Sequence, residues 1–445
     1  MAKNLPFPIK TATSCLLKWN WSAIRISEGT TNSCHRNWHE PFALEDFNNF
    51  HNTEYKQDHR RSMLAGKWPE SPNHLGCGYC KKIEDDGGRS DRQYMTETQH
   101  DQTPDELVDD PTATSVTPAV LEVFLDSMCN LACTYCHRMH SVRIANELDK
   151  FNTPDNNLDY FFGYKKNILP RKDADKYLDA LITWIKTSGK GLRRFHVLGG
   201  EPLIQPALDR LLDAWEEAPN PNLVINIVSN FNILNKQFDK QINKLVHLVD
   251  TGCIDRIDLT ASIDCWGPEQ EYVRSGFNME LVEQNILYVL NKPDIRLNIN
   301  ATHTLMSIGA YARLLEKKVE WEELTGKEIN LYGMVVGSKH VMPHALGYDF
   351  LKDDIEQILS IHPRGTWDSD EAFKNISGIF KSLEDATPDI EHIENFLTVY
   401  NEIDRRRNTN WKEVFPDIAT EIKKHFPNLD AKSSHSRLTK NSKCS

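Results

Sequence analysis

Residues 129–136 read CNLACTYC, and three of these eight positions are cysteines, Cys129, Cys133 and Cys136. Thiols at that density are metal ligands before they are anything else, and the spacing is C-x3-C-x2-C. Structural zinc takes four ligands, so a zinc site here needs His137 or His140 to complete it. A [4Fe–4S] cluster also ordinarily takes four thiolates. Three thiolates leave one iron with an open position, able to take the amino and carboxylate groups of a small molecule.

A second group lies upstream. Cys77 and Cys80 form a C-x2-C in LGCGYC, and Cys15 and Cys34 frame C-x13-G-x4-C with Gly29 as the glycine. A hairpin between two ligands needs a residue that tolerates positive φ. Four thiols satisfy either a four-thiolate zinc site or a fully ligated cluster. Of the remaining cysteines, Cys253 and Cys444 read as ordinary thiols. Cys265 ends an expected strand and either packs or lines substrate space. His137 and His140 read as solvent-facing or supporting groups, and His303, Lys339 and His340 as substrate-facing or surface positions. Trp19, Trp21, Trp38 and Trp68 read as a small core around the upstream cysteines.

The elements that must position these groups follow from periodicity. VLEVFLDS (120–127) is a short apolar run that ends at the central cysteines. Helical spacing over 172–186, 206–218, 237–250, 280–291 and 309–324 alternates with expected strands at 193–200, 222–229, 255–264, 295–305 and 329–336. Six strands alternating with helices argue a parallel sheet with βαβ crossovers, either an open doubly wound sheet or an incomplete barrel. Residues 1–90 have few periodic runs. Residues 91–119 are polar, acidic and Pro-containing and read as a linker, in which DELVDD (105–110) is a solvated run. Residues 341–430 read as a helical extension that caps the barrel or docks a partner, and 431–445 as a frayed tail.

Composition narrows the function. The chain has 445 residues, 39% hydrophobic and 26% charged, an ordinary globular balance. A net charge of −12 argues against a broad nucleic-acid-binding surface. No apolar stretch reaches the roughly 20 residues that a membrane helix needs, and the first residues lack the apolar core of a signal peptide. The expectation is a cytoplasmic protein, where thiols stay reduced, so the clustered cysteines among its ten serve metals rather than disulfides.

C-x3-C-x2-C with Tyr135 before its last cysteine, at the first strand-to-helix turn, resembles the radical S-adenosylmethionine (SAM) superfamily. LGGEP (198–202) is similar to that family's GGE motif, and SIDCWGPEQEYVRSG (262–276) resembles its S-[IL]-D-G…H-[DE]-x-x-R segment. Cys265 stands where glycine is usual, and Gln270 near the usual histidine. The likeness spans about 120–340. It implies a partial (β/α)6 TIM-like barrel of the α/β class, with its site at the C-terminal ends of the strands. It also implies a [4Fe–4S] cluster on Cys129, Cys133 and Cys136 with SAM on the open iron. The SAM contacts implied are Tyr135, Gly199, Gly200, Glu201, Ser229, Asn230, Ser262, Asp264 and Arg274. The family's chemistry is reductive cleavage of SAM to a 5′-deoxyadenosyl radical that abstracts a substrate hydrogen, driven by a reductant such as flavodoxin or ferredoxin.

The stretch from Cys15 to Cys34, followed by RRSMLAGKWPESPNHLGCGYC (60–80), resembles the Twitch module, a shortened SPASM domain, here ahead of the barrel rather than after it. That likeness implies a second, auxiliary [4Fe–4S] cluster on Cys15, Cys34, Cys77 and Cys80, a shuttle for electrons. The expected reaction is an oxidative modification of a peptide or protein. A sugar or alcohol dehydrogenase is the alternative, and a catalytically silent Fe–S or zinc scaffold is the alternative of another class. A methyl- or sulfur-transferring enzyme would need an open iron or a sacrificial cluster in the auxiliary set, and four candidate ligands argue against the open iron.

Overall fold

Strands form where short runs of β-branched and apolar residues sit between amphipathic helices. The computed structural model describes residues 7–37, 39–71, 75–99, 102–154, 156–164, 168–361 and 377–429. Trp38, Cys444 and the tail at 431–445 lie outside the described residues. The described strands are β1 (Trp21–Arg25), β2 (Thr30–Asn32), β3 (Glu40–Pro41), β4 (Val120–Phe124), β5 (Ala132–Cys133) and β6 (Arg194–Leu198). They continue with β7 (Asn220–Ser229), β8 (Ile254–Ser262), β9 (Arg274–Ser275), β10 (Ile295–His303) and β11 (Asn330–Val335). All six stretches read as strands from the sequence are among them.

The chain divides into two compact units, Met1–Asp126 with Asn167–Ile227 and Gln241–Asp258, and Ser127–Lys166 with Val228–Lys240 and Leu259–Ser445. In the first unit the sheet runs β3-β2-β1-β4-β6-β7 and on to the start of β8. In the second, the end of β8 neighbours β10, and β10 neighbours β11. The pairs β1–β4, β4–β6, β6–β7 and β10–β11 are parallel, whereas β2 pairs antiparallel with β1 and β3. Parallel neighbours need long crossovers, which the helices supply. The architecture is mixed α/β with a large, mostly parallel sheet. No helix among the described residues is long and apolar enough to cross a membrane.

Register separates the two faces of the first unit's sheet. Leu121, Phe195 and Ile225 form one row, and Ile24, Val123, Val197 and Ile227 the next. All seven are buried, and Phe195 meets Trp215 of helix Pro206–Glu217 with ring centroids 5.6 Å apart. Side chains alternate along a strand, so the row between these two faces the other way. It is polar: Glu122, His196 and Asn226 stand side by side. A parallel sheet buried on both faces reads as a continuous apolar run, and the break at Glu122 marks the face that is not filled by helices in that way.

The amino-terminal region joins this sheet, because β1 pairs along its whole length with β4. The stretch read as a linker is folded. It carries helix Asp91–Thr98, closed by a Ser90/Gln93 capping box, and helix Asp105–Asp109, which buries Leu107. Backbone carbonyls of Ala113, Thr114 and Val116 accept bonds from Trp19, Arg60 and Asn52. The acidic side chains gave that stretch a linker's composition, while a few apolar positions and these carbonyls fix its path.

In the second unit the carboxy-terminal helices Ile390–Arg407, Trp411–Val414 and Pro416–His425 bury Phe396, Tyr400, Ile403, Trp411 and Phe415 in one core. Ala132, Tyr272, Val273 and Leu305 belong to the same core.

Burial pushes the Glu122 carboxyl up to about 7, against the opposing pull of His35 and Arg25. A carboxyl raised above its unfolded value favours the folded state at low pH, and that contribution is lost as pH rises through 7. Glu122→Gln should therefore gain on the wild type by about 1–3 kcal/mol between pH 5 and pH 8, measured by urea unfolding at both values. Parallel pH profiles for the two proteins would contradict this.

Candidate functional site

The central cysteines lie in the second unit on a loop that closes against the segment 262–276. β5 pairs antiparallel with β9, which places Cys133 opposite Arg274, and the amide of Thr134 donates to the carbonyl of Val273 at 2.8 Å. Under this pairing sits Asp264, with no exposed surface. Its carboxylate accepts from Arg274 Nε at 2.9 Å and Nη2 at 2.8 Å, from Tyr135 Oη at 2.6 Å and from the Thr302 amide at 2.9 Å. The Arg274 guanidinium also lies 5.6 Å from the centre of the Tyr135 ring. Burial opposes charge on Arg274, but Asp264, Tyr135 and Cys133 outweigh it and drive its pKa up.

Gln270 shapes the turn that presents Asp264. It is fully buried, and its Oε1 accepts from the amides of Asp264 at 3.1 Å and Cys265 at 3.2 Å. Cys265 is fully buried beside it, with Sγ 3.7 Å from the same oxygen, which is a packing position.

Cys133 is buried and Cys129 and Cys136 are half-buried. Burial pushes the Cys136 thiol up, and the neighbouring Cys133 and Cys129 push it further. Burial also raises Cys133, with Arg274 pulling the other way. The Leu131 amide points at Cys129 Sγ at 3.4 Å, and the Asn230 amide lies 4.0 Å from the same sulfur. Asn230 also donates to Asn130 Oδ1 at 2.8 Å. Ser229, at the end of β7, accepts from the Phe231 amide at 3.0 Å, and Phe231 has φ 57°. Ser262 ends β8 and is half-buried. Thus Cys129, Cys133, Cys136, Tyr135, Asn230, Asp264 and Arg274 are connected by contacts within one unit.

The loop is held from behind by Tyr400 and Arg407, which sequence reading missed, and by His340, which it took as substrate-facing or surface and which is buried. Tyr400 Oη donates to Thr134 Oγ1 at 3.1 Å, His340 Nε2 lies 3.1 Å from the Thr134 carbonyl, and Arg407 Nη1 donates to the Ala132 carbonyl at 2.9 Å. Their partners are more than 200 positions away in sequence, and no local pattern marks them. Lys339, by contrast, is exposed and paired with Glu391 at 2.8 Å. The His137 ring lies directly over Gly163, where a Cβ would collide with it.

Gly199, Gly200 and Glu201 lie in the first unit, after β6. Both glycines have positive φ, 94° and 51°. A Cβ on Gly199 would stand 3.0 Å from the Leu125 amide nitrogen, so the chain passes there only without one. Glu201 is fully buried, and its carboxylate accepts from the Leu203 amide at 3.1 Å.

The upstream cysteines also lie in the first unit. Gly29 has φ 62° in the β1–β2 hairpin, the conformation the spacing asks for. Cys77 and Cys80 sit one turn apart at the start of helix Gly76–Asp85, whose dipole favours thiolates. Cys15, Cys34, Cys77 and Cys80 are 5–7% exposed, and the first three share a core with Trp19, Trp21 and the half-buried Trp68. Burial raises Cys15 and Cys34, and each is pushed further by neighbouring thiols; Cys77 bears on both, and on Cys80. The Arg36 amide donates to Cys34 Sγ at 3.4 Å.

The described cysteines are free thiols. Among the described residues no three His, Cys, Asp or Glu side chains are drawn together as around a single metal ion. Both cysteine groups fit a cluster by their chemistry: soft sulfur donors, mutual electrostatic coupling, and amides directed at sulfur, which stabilise cluster-bound thiolates. Buried thiols held protonated release their protons when metal binds.

Removing the Asp264 charge leaves Arg274 buried without its partner. Asp264→Asn should cost about 3–5 kcal/mol in urea unfolding, and adding Arg274→Met should recover part of that loss. A cost below about 1 kcal/mol, the range of exposed pairs, would contradict the role given to this ion pair.

No family model and no curated protein matches the chain. Solved structures of Streptococcus suis SuiB are similar to it. SuiB bound to the precursor peptide SuiA is 15% identical with a TM-score of 0.36, over 76% of this chain and 67% of that one. SuiB bound to S-adenosylmethionine is 13% identical with a TM-score of 0.34, over 76% and 66%. SuiB without a named ligand is 15% identical with a TM-score of 0.36.

Proposed function

We propose that this chain is a radical SAM enzyme that carries out a net oxidation on a peptide or protein. The observation that carries the reading is the loop 129–136. Its three thiols are electrostatically coupled, the β5–β9 pairing seats Cys133 opposite Arg274, and an amide is directed at the Cys129 sulfur. Cys129, Cys133 and Cys136 would hold a [4Fe–4S] cluster with one iron left for SAM. When bound, cluster and SAM supply reductive cleavage of the sulfonium and a hydrogen-abstracting radical.

The residues around the loop do the positioning. Asp264 and Tyr135 fix Arg274 beside Cys133, so its guanidinium offers a positive charge next to the ligand thiolates. Arg274 binds Asp264 through Nε and one Nη2 hydrogen, which leaves Nη1 to donate to a SAM carboxylate, so it holds the loop and remains a proposed SAM contact. Tyr135, Ser229, Asn230, Ser262 and Asp264 remain proposed SAM contacts, and Gly199, Gly200 and Glu201 enter on their motif. Cys15, Cys34, Cys77 and Cys80 would hold the auxiliary cluster of a Twitch-like module at 1–90, and the barrel would span 120–340. With all four thiols engaged, that cluster has no open iron for substrate, which suits electron transfer. A soluble reductant such as flavodoxin or ferredoxin would supply the electron for cleavage. One SuiB structure holds a precursor peptide and another S-adenosylmethionine, but the proposal rests on this chain's own cysteines.

Anaerobic purification with metal and sulfide counting tests it. The wild type should carry about eight irons and eight sulfides per chain, as two cubanes require, and should release 5′-deoxyadenosine from SAM under dithionite. Cys136→Ala should lose that release. Cys77→Ala/Cys80→Ala should keep SAM cleavage and lose product. Zinc in place of iron, or iron with no SAM cleavage, would overturn the reading in favour of a scaffold. Deuterium transfer into 5′-deoxyadenosine from a labelled alcohol or sugar, and not from peptide, would overturn the substrate class.

A further inference from the structure

Lys18 lies in the short helix Leu17–Asn20 and is 2% exposed. Its ammonium donates to Ser33 Oγ at 3.2 Å, and Ser33, itself fully buried, precedes Cys34. Arg60 Nε bonds the Lys18 carbonyl at 2.7 Å, which fixes the backbone that carries it. Among the described residues Lys18 has no ion pair with a carboxylate. A buried ammonium without an anion nearby costs several kcal/mol, so the position needs a counter-charge. Cys77, Cys34 and Cys15 lie within electrostatic range of that ammonium, and the Lys18 amide donates to the Cys15 carbonyl at 3.1 Å. Glu40 is the carboxylate in range, and it is engaged by Thr53 Oγ1 at 2.7 Å and coupled first to Lys56. Lys56, buried nearby, has its pKa driven well down by burial, and it donates to Ser22, Thr31 and the Phe50 carbonyl.

Four thiolates around a cubane give it net negative charge, and each added electron makes that charge larger. A fixed cation without solvent between raises the reduction potential of such a site. We propose that Lys18 is the counter-charge of the group held by Cys15, Cys34, Cys77 and Cys80, and that it raises that group's reduction potential so that it accepts electrons. This rests on the auxiliary-cluster reading of the same cysteines. In a net oxidation the substrate gives a hydrogen atom to the 5′-deoxyadenosyl radical. With the auxiliary cluster held by these cysteines, the substrate would then give up one electron to it and one proton to solvent, leaving a product two electrons more oxidised. Lys18 is a positioning and tuning residue in this scheme and touches no reacting atom.

The full chain carrying Cys129→Ala, Cys133→Ala and Cys136→Ala isolates the upstream site. Its iron content and an EPR-monitored redox titration are compared with and without Lys18→Met. The proposal expects iron retained near four per chain, a lower midpoint potential in Lys18→Met, and a midpoint near the parent's in Lys18→Arg. Lys18→Gln, which keeps a polar head for Ser33, carries the same expectation where the Met variant does not fold. An unchanged midpoint in a neutral variant that retains its iron overturns the role of Lys18. No iron in the parent, where Lys18 is intact, overturns instead the reading of the four cysteines and the role of Lys18 with it.

Discussion

The carboxylate of Asp264 is the interaction on which the second unit's chemistry depends. It has no solvent to share its charge, so it draws in Arg274, Tyr135 and the Thr302 amide. Each partner belongs to a different piece of chain, and the Arg274 strand pairs with Cys133. One buried charge therefore sets the height and angle of a loop that is too short to hold itself. The carboxy-terminal helices close the arrangement, with Tyr400 and Arg407 bonding Thr134 and Ala132 from behind. A loop braced on both sides keeps its thiols in place while their ligation state changes, which is what a site with a replaceable ligand requires.

The first unit solves a different electrostatic problem. It buries four thiols and a lysine in one core and adds amide and helix-terminal dipoles directed at sulfur. Here positive charge is brought to the sulfurs rather than used to hold a loop. β1 runs from this cysteine core into the parallel sheet beside β4. The polar row of Glu122, His196 and Asn226 lies on the same sheet, and Glu122 lies in electrostatic range of His35, next to Cys34. The cysteine core and the polar face are thus continuous within one unit.

Much of this was legible in the sequence, for identifiable reasons. The six strands from β4 to β11 that alternate with helices could be read because each is a short apolar run bounded by helical periodicity. Gly29 could be read because a hairpin leaves few alternatives to glycine. β1 could not, since WSAIR is short and polar at one face and gains its place only by pairing with β4, almost a hundred residues away. The stretch 91–119 has the charge of a linker, and its folding depends on Leu107 and a few backbone carbonyls. Gln270 looked like a lost histidine but is the clamp of the Asp264 turn. Arg274 was legible as important, but its bidentate bond to Asp264 was not, because ion pairing is a property of distance in space.

The central claim is that the thiols of Cys129, Cys133 and Cys136 leave a coordination position for SAM. The most direct measurement is electron–nuclear double resonance on the reduced, oxygen-free Cys77→Ala/Cys80→Ala protein with SAM labelled by 15N at its amino group. The account predicts a changed EPR spectrum and a resolved hyperfine coupling from the label. A spectrum identical with and without SAM, and free of coupling, would contradict it.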